Sequence, residues 1–163
     1  MTDLSLPPTY SEYTSVDPAP SAPVDTEERL EARLMDTSMP MFERMKAIFT
    51  LRNLGTDRAV DAIGRALIED RSALMRHEAA YVLGQVQSPH AIPVLERALF
   101  GDTHVMVRHE AAEALGNIMD DRVLPLLERG LVDPDEEVVE SCEVAIDNQR
   151  YLRSKRFEAF AAE

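Results

Sequence analysis

The pentapeptide Arg-His-Glu-Ala-Ala occurs twice in this chain, at residues 76–80 and at residues 108–112. A spacing of 32 residues matches one unit of a solenoid built from helix pairs. Such proteins usually repeat their apolar core residues and let polar ones vary, whereas here a histidine and a carboxylate recur together. Because consecutive repeats stack side by side, we expect the two His-Glu pairs on neighbouring helices, facing the same way. The sequence therefore predicts a repeat protein with a polar cluster between two of its repeats.

Signals for helix ends recur with a similar period. Leu-Gly dipeptides that are typical of helix ends occur at Leu54-Gly55, Leu83-Gly84 and Leu115-Gly116. A short polar turn and an amphipathic segment follow each of them. A first helix is expected over Glu27–Met35, with Thr26 as its N-cap, and a last helix from about Glu136 to Arg150. The pattern predicts an all-α fold without strands, namely a HEAT-like α-solenoid of about four helix pairs.

Composition divides the chain into three parts. Prolines are concentrated among serine, threonine and aspartate in residues 1–26, which predicts a disordered N-terminal arm or linker. Residues 27–153 carry the helical pattern and are expected to form the repeat domain. Residues 154–163 are expected to form a polar tail. No apolar run approaches the roughly 20 residues that a helix needs to span a bilayer.

Acidic residues outnumber basic ones by 30 to 17, which gives a formal net charge of −13. Nucleic-acid binders need a basic face to neutralise phosphates, so this balance argues against that class and against an anionic membrane surface. It is compatible with a basic protein or a cationic side chain as partner, or with a role in solubility alone. The single cysteine, Cys142, is expected to be a buried, inert thiol. Without a disulfide pair or a secretory signal, a cytoplasmic location is expected.

The two pairs His77-Glu78 and His109-Glu110 form a candidate metal site. Imidazole and carboxylate without thiolate suit iron, manganese or zinc, and two histidines with one carboxylate are the usual set for dioxygen-activating iron. Two simpler explanations compete with this one. A glutamate in the first turn of a helix stabilises the helix dipole without a further role, and duplication of a repeat copies a His-Glu pair passively. His90 and His104 are expected to be solvated.

Several stretches of the sequence are similar to those of one enzyme family. They are residues 40–44, 51–55, 76–78, 81–85, 106–110, 113–116 and 140–145. The segment Ser-Val-Asp-Pro-Ala-Pro at residues 15–20 also resembles the interdomain linker of that family. Together, these residues resemble deoxyhypusine hydroxylase from about residue 15 to residue 150, a far more specific match than a generic HEAT pattern.

The resemblance implies a HEAT-like solenoid of two homologous halves with a non-haem di-iron centre. It implies a monooxygenase that uses iron and dioxygen to hydroxylate the deoxyhypusine side chain of eukaryotic translation factor 5A, which completes hypusine. By the same resemblance, His77, His109 and Glu110 are expected to bind iron. Glu78 is expected either to bind iron or to contact the substrate amine as a catalytic residue.

The chain resembles only the C-terminal half of that family together with its linker. Two of the family's four His-Glu pairs are therefore absent, and three explanations remain open. The chain is a partial product whose N-terminal half is missing, or it forms a homodimer in which two halves rebuild the site, or it binds one iron or none. The alternative function is a non-catalytic HEAT-repeat module that holds a basic partner on its concave face.

Overall fold

The computed structural model describes residues 17–161, with side chains described as far as residue 155. Within these residues the chain forms eight α-helices and no strand. The helices are α1 (Glu27–Met35), α2 (Met41–Leu54), α3 (Asp57–Glu69), α4 (Ala73–Val86), α5 (Ile92–Gly101), α6 (Val105–Gly116), α7 (Val123–Gly130) and α8 (Glu136–Ala161). A short 3₁₀ turn, Pro89–Ala91, precedes α5. The all-α prediction is confirmed. In this part of the chain, no helix combines the length and the apolar character that crossing a membrane requires.

The helices stack as four pairs in two layers. Helix α1 packs on α2, α3 on α4, α5 on α6 and α7 on α8, which confirms the predicted number of pairs. The even-numbered helices contact one another in order and form what we call the inner layer, and the odd-numbered helices form the outer layer. Between the layers lies an apolar core with fully buried side chains such as Ile48, Ile63, Leu83 and Leu99. This burial is the main favourable term for folding of the solenoid.

Small residues let neighbouring inner helices approach closely. Ala80, Ala111 and Ala112 are completely buried where α4 and α6 meet their neighbours. At Gly84 in α4, a Cβ atom would lie only 2.8 Å from Ala114 Cα in α6. The α4–α6 contact therefore has room for a hydrogen atom at position 84 and for nothing larger.

Arginine side chains connect each inner helix to the loop that begins the next one. Three arginines spaced by 32 residues pair with aspartates: Arg44 with Asp70, Arg76 with Asp102, and Arg108 with Asp133. The pair of Arg76 is bidentate, with distances of 2.7 Å from Nε and 3.0 Å from Nη2 to the two Asp102 oxygens. Burial by itself would raise the pKa of Asp102, but hydrogen bonds from Arg76 and from the His104 backbone N–H outweigh it and lower the pKa.

The segment before α1 differs from the disordered arm predicted for residues 1–26. Residues 1–16 lie outside the described part of the chain, but residues 17–26 lie against α2. The Ala22 N–H donates to the Lys46 carbonyl at 2.9 Å, and the Thr50 hydroxyl donates to the Ala22 carbonyl at 2.8 Å. Ala19 and Ala22 are buried. Proline excludes helix here, as predicted, but an extended proline-rich segment still has carbonyl groups and small side chains that pack on a neighbouring helix.

The C-terminal end also differs from the sequence-based expectation. Helix α8 continues to Ala161, whereas the sequence predicted a helix end near Arg150 and a polar tail over residues 154–163. Residues 151–161 contain no glycine or proline and are rich in alanine, glutamate, lysine and arginine. These residues are good helix formers, so nothing in the local sequence ends the helix.

The close contact at Gly84 predicts a stability effect with a matched control. Gly84→Ala would place its methyl group against the Ala114 backbone and should lower the free energy of unfolding by about 1–3 kcal/mol. Gly101→Ala, also in a helix but with no atom within 4 Å of the added Cβ, should be neutral or stabilise by up to about 1 kcal/mol. Urea denaturation followed by circular dichroism measures both. Equal stability of the Gly84→Ala variant and the wild type would contradict the close contact.

Burial predicts an unreactive thiol at Cys142. The side chain is fully buried against Gly130, and burial, with a smaller effect of the Asp133 charge, raises the pKa of Cys142 to about 11. Because this pKa lies above the ordinary 9.0, the protonated thiol favours the folded state, and this contribution is lost as the pH rises from about 9 through 11. At pH 8, iodoacetamide should modify the folded chain at least about 100-fold more slowly than the urea-unfolded chain. Mass spectrometry of timed samples measures both rates, and similar rates would refute the burial of this thiol.

Candidate metal centre

The solenoid places the two His-Glu pairs on adjacent inner helices in equivalent positions. His77 is the fifth residue of α4, and His109 is the fifth residue of α6. Both pairs therefore lie just past the first helical turn, slightly further in than the sequence suggested. A glutamate at the sixth residue is too far along the helix for a stabilising contact with the N–H groups of the first turn. This position weakens the explanation that Glu78 and Glu110 serve only the helix dipole.

The arginine of the repeated pentapeptide occurs in more of the inner helices than the His-Glu pair does. The arginine recurs at positions 44, 76 and 108 and makes the inter-repeat ion pair each time. The positions equivalent to His-Glu hold Met45-Lys46 in α2 and Ser141-Cys142 in α8. Four inner helices thus pack with only two His-Glu pairs, so the solenoid itself does not require them.

Glu110 is the centre of the cluster. Its Oε2 atom lies 3.2 Å from His77 Nε2 and 3.9 Å from His109 Nε2. Two ligand atoms at right angles around a metal, each about 2.1 Å from it, are about 3 Å apart. The distance from Glu110 to His77 is close to this value, and the distance from Glu110 to His109 is longer. The structure therefore brings together three of the four predicted ligands, namely two imidazoles and one carboxylate.

Glu113 belongs to the same cluster, although the sequence analysis gave it no role. Its Oε1 atom lies 3.7 Å from His109 Nε2, and the ligand atoms of His109, Glu110 and Glu113 all lie within 4.8 Å of one another. The sequence signal was present, because residues four apart share one face of a helix. The search for repeated pairs missed it because the equivalent residue in α4 is Tyr81 rather than an acid.

Glu78, the fourth predicted ligand, is on the other side of the His77 ring. Its Oε1 atom lies 3.7 Å from His77 Nδ1, whereas Glu110 faces Nε2. That distance is too long for a hydrogen bond, and the buried Nδ1 atom has no hydrogen-bond partner among the described residues. Glu78 thus contacts the ring edge that points away from Glu110.

A hydrogen bond that His109 donates to the next inner helix fixes the tautomer of its ring. His109 Nδ1 lies 2.6 Å from the Ser141 hydroxyl oxygen, which in turn donates to the Glu137 carbonyl at 2.7 Å. A carbonyl oxygen only accepts, so the serine hydrogen points to Glu137 and the serine oxygen accepts from Nδ1–H. His109 Nε2 then carries the lone pair and faces Glu110 and Glu113. Metal-binding histidines are commonly held in this way by a partner on their second nitrogen.

The glutamates of the cluster have no described lysine or arginine partner, and the positive charge beside them is that of His77. Among the described side chains, no lysine or arginine forms an ion pair with Glu78, Glu110 or Glu113. The Glu110 carboxylate, followed by that of Glu78, raises the pKa of His77 to about 10, although burial alone would lower it. In the absence of another cation, His77 therefore holds a proton at neutral pH. A metal ion and this proton compete for the same nitrogen atom.

The remaining histidines lie outside the cluster. His90 Nε2 lies 2.8 Å from Asp61 Oδ1 at the exposed surface of the outer layer. His104 is the N-cap of α6, where its Nδ1 accepts from the Met106 N–H at 3.3 Å. Both side chains are exposed, as the sequence predicted, and neither joins the His77 and His109 cluster.

Known proteins with similar sequences are deoxyhypusine hydroxylases. The enzyme of Debaryomyces hansenii is 48% identical over 71 residues, which cover 42% of this chain and 23% of that protein. The enzyme of Danio rerio is 50% identical over 66 residues, which cover 40% of this chain and 21% of that protein. These relatives confirm the family resemblance that the sequence predicted.

Solved structures give the same result. The structure of human deoxyhypusine hydroxylase in complex with glycerol matches with a TM-score of 0.84 and 46% identity over 89% of this chain. The match covers 50% of the human chain, so the present chain spans about half the length of that enzyme. The complex of CpcE and CpcF of phycocyanin lyase from Nostoc sp. PCC7120 matches with a TM-score of 0.52 and 21% identity, which shows a shared fold alone.

The sequence also matches a known repeat family, and this match agrees with the stacked helix pairs. The family described as HEAT repeats matches residues 27–99 and residues 66–147, and these two overlapping matches span most of the chain. They include α1 to α7 and the first part of α8, and therefore both His-Glu pairs. The chain belongs to the HEAT-repeat family.

Proposed function

We propose that this chain is part of a deoxyhypusine hydroxylase-type monooxygenase in which His77, His109 and Glu110 hold iron. One observation carries the proposal: two imidazoles and three carboxylates meet on adjacent helices with no lysine or arginine partner among the described side chains. The carboxylates of Glu78 and Glu110 are largely buried, and a buried carboxylate is costly unless a cation or a proton joins it. Nitrogen and oxygen ligands without thiolate fit iron, and the related proteins carry the name of an enzyme.

The side chains of the cluster take different roles in this proposal. Bound iron would activate dioxygen for insertion of one oxygen atom into a substrate C–H bond. His77 and His109 would hold the iron through Nε2 together with the Glu110 carboxylate, and Glu113 would be a further ligand. Ser141 holds the His109 ring in the tautomer that exposes Nε2.

Glu78 is assigned to the substrate or to the orientation of His77. Its carboxylate lies at the Nδ1 edge of the ring, opposite the nitrogen that faces Glu110. A carboxylate in this place attracts an ammonium group close to the reacting carbon without occupying the Nε2 side of the ring. Glu78 either contacts the substrate amine as a catalytic residue or binds iron after rotation of its side chain.

The substrate class in this proposal is a cationic protein side chain. Deoxyhypusine, named in the relatives, extends a lysine by an aminobutyl group and therefore carries ammonium charges. A chain with a formal net charge of −13 attracts such a substrate by long-range electrostatics. The protein partner would be eukaryotic translation factor 5A in its deoxyhypusine form, and the compartment would be the cytoplasm.

Because the chain spans about half of the human enzyme, a complete site would need a second half. A second copy of this chain would supply it in a homodimer, and a separate N-terminal half would supply it otherwise. The solution mass of the iron-loaded chain, from light scattering, distinguishes these arrangements.

Hydroxylation by the purified chain is then tested with deoxyhypusine-containing factor 5A, and iron-loaded oligomers that bind this substrate without hydroxylating it would refute the enzymatic role.

Iron content provides the first prediction from this proposal. His77→Ala and His109→Ala should each lower the iron bound per chain more than about tenfold, since each removes a proposed ligand. His90→Ala, on the surface of the outer layer, is the matched control and should leave the iron content unchanged. Metal analysis of the anaerobically reconstituted proteins gives the numbers. If the wild type binds no iron, or if all three variants bind as much as the wild type, the metal centre is rejected.

The hydrogen bond that His109 donates to Ser141 provides the second prediction. Ser141→Ala removes the acceptor that fixes the His109 tautomer and should weaken iron affinity by about 10–100-fold. Ser154→Ala, on the same helix, removes only a hydroxyl that donates to the Tyr151 carbonyl and should have no effect. Competition with a chromophoric chelator measures both affinities. Unchanged affinity in the Ser141 variant would show that the His109 ring does not need this partner.

A further inference from the structure

A polar cleft of about 520 Å³ opens beside the candidate metal centre. Glu110 and Glu113 of the centre line it, together with Tyr81, Gln85 and Asn117. Tyr81 and Gln85 belong to α4 and Asn117 follows α6, so the cleft lies along the junction of the two helices that carry the His-Glu pairs. The proposed centre has no use for Tyr81 or Gln85, and their arrangement therefore calls for another explanation.

A continuous chain of hydrogen bonds runs from the segment before α1 to this cleft. Arg52 donates from Nη1 and Nη2 to the two carboxylate oxygens of Asp17, at 2.8 Å each. Arg52 Nη1 also donates to Gln85 Oε1 at 3.0 Å. Gln85 Nε2 then donates to the Tyr81 phenol oxygen at 3.0 Å. Four side chains from three separate segments of the sequence are thus connected in one line.

Arg52 decides which way the Gln85 amide faces. A guanidinium group has only donors, so the Gln85 atom beside it must be the oxygen, and the NH₂ group then faces Tyr81. If the amide were reversed, two donors would meet at Arg52 and the NH₂ group would no longer reach the phenol. The Tyr81 oxygen therefore accepts a hydrogen bond from Gln85, and its side chain lines the cleft together with Glu110 and Glu113.

Asp17 in turn holds Arg52 in place. The Arg52 side chain is completely buried, and the Asp17 side chain is only 11% exposed. Arg52 also donates to Asn53 Oδ1, at 3.2 Å from both Nε and Nη2. Asp17 supplies the carboxylate that faces Nη1 and Nη2 of this guanidinium. A buried guanidinium that loses its carboxylate moves toward other acceptors or toward water, and its contact with Gln85 changes with it.

We infer that Asp17 is a positioning residue for the cleft, acting through Arg52 and Gln85 to orient the Tyr81 hydroxyl where a ligand meets Glu110 and Glu113. The inference rests on the proposed function in one respect, namely that the ligand is the alkylammonium side chain of the substrate. Carboxylates attract the ammonium group, and an oriented phenol adds a directional contact beside them. The proline-rich segment before α1 is then part of the site and not only a connection.

The orientation of Tyr81 is measured first, without any ligand or metal. Tyrosine ring signals of the selectively ¹³C-labelled chain are recorded by NMR, and Tyr81→Phe identifies the Tyr81 signal among the four tyrosines. Gln85→Met interrupts the relay while leaving the Asp17–Arg52 pair in place, and Asp17→Asn weakens it at its origin. Val24→Ala is the matched control, because Val24 lies in the same segment, is 76% exposed and belongs to neither the relay nor its hydrogen-bond partners. We expect the Tyr81 signal to shift in the first two variants and not in the control.

An unchanged Tyr81 signal in Asp17→Asn overturns the inference, and so does an unchanged signal in Gln85→Met, which tests the relay even if Asp17→Asn proves too unstable to study. A shift of the same size in Val24→Ala also overturns it, since that shift would reflect general loosening of the segment. These outcomes do not depend on iron or on substrate, so they decide the role of Asp17 even if the proposed function is wrong.

Binding of the substrate side chain is the second measurement. A peptide that carries N-(4-aminobutyl)lysine should bind the wild-type chain, and Tyr81→Phe and Asp17→Asn should each weaken its Kd about fivefold, the usual effect of one hydrogen bond. The double variant should bind no more weakly than either single variant, because both changes interrupt the same contact. Effects that multiply in the double variant refute the relay. A wild-type chain that does not bind the peptide refutes the proposed substrate, while the Tyr81 signal still decides the relay.

Discussion

The buried ion pair between each inner arginine and the aspartate that precedes the next inner helix is the interaction on which the structure depends. An isolated buried guanidinium is costly, so each arginine keeps its aspartate as a partner. The loop that carries this aspartate is thereby held in a fixed position relative to the arginine. Removal of either partner would leave a buried charge without compensation, which is strongly destabilising. Arg76 and Arg108 directly precede His77 and His109 in the sequence. The ion pairs that align the helices therefore also align the two histidines.

The alanine and glycine residues of the inner layer allow the aligned helices to come into direct contact. With methyl groups or hydrogen atoms between the helices, α4 and α6 approach closely enough for His77 on one helix to reach Glu110 on the other at 3.2 Å. Larger residues at Gly84 or Ala114 would separate the helices, and the histidine and the carboxylate would lie in separate solvated places. Core packing and site geometry are thus two consequences of the same small side chains.

The cluster is also where the chain departs from its own rule for charges. One residue before each histidine, an arginine is fully paired with an aspartate, whereas the glutamates one residue after each histidine have no described lysine or arginine partner. Largely buried carboxylates without such a partner, as at Glu78 and Glu110, are a departure from local rules that is typical of a functional site. Glu113, which belongs to only one of the two repeats, makes the cluster asymmetric and leaves the α6 side richer in oxygen ligands. The cleft lined by Tyr81 opens on this junction, so binding of a side chain and binding of a metal would take place next to each other.

The sequence by itself determined the helical repeat, the number of helix pairs and the identity of His77, His109 and Glu110 as neighbours, because a period of 32 residues is enough to superpose one repeat on the next. It also gave the family resemblance, since that depends on residues and not on contacts. Only the tertiary structure placed Glu78 on the far edge of the His77 ring, added Glu113 and Ser141 to the cluster, and attached residues 17–26 to α2. These features depend on side-chain directions and on contacts between distant segments, and no local pattern in the sequence encodes the angle at which one helix faces another.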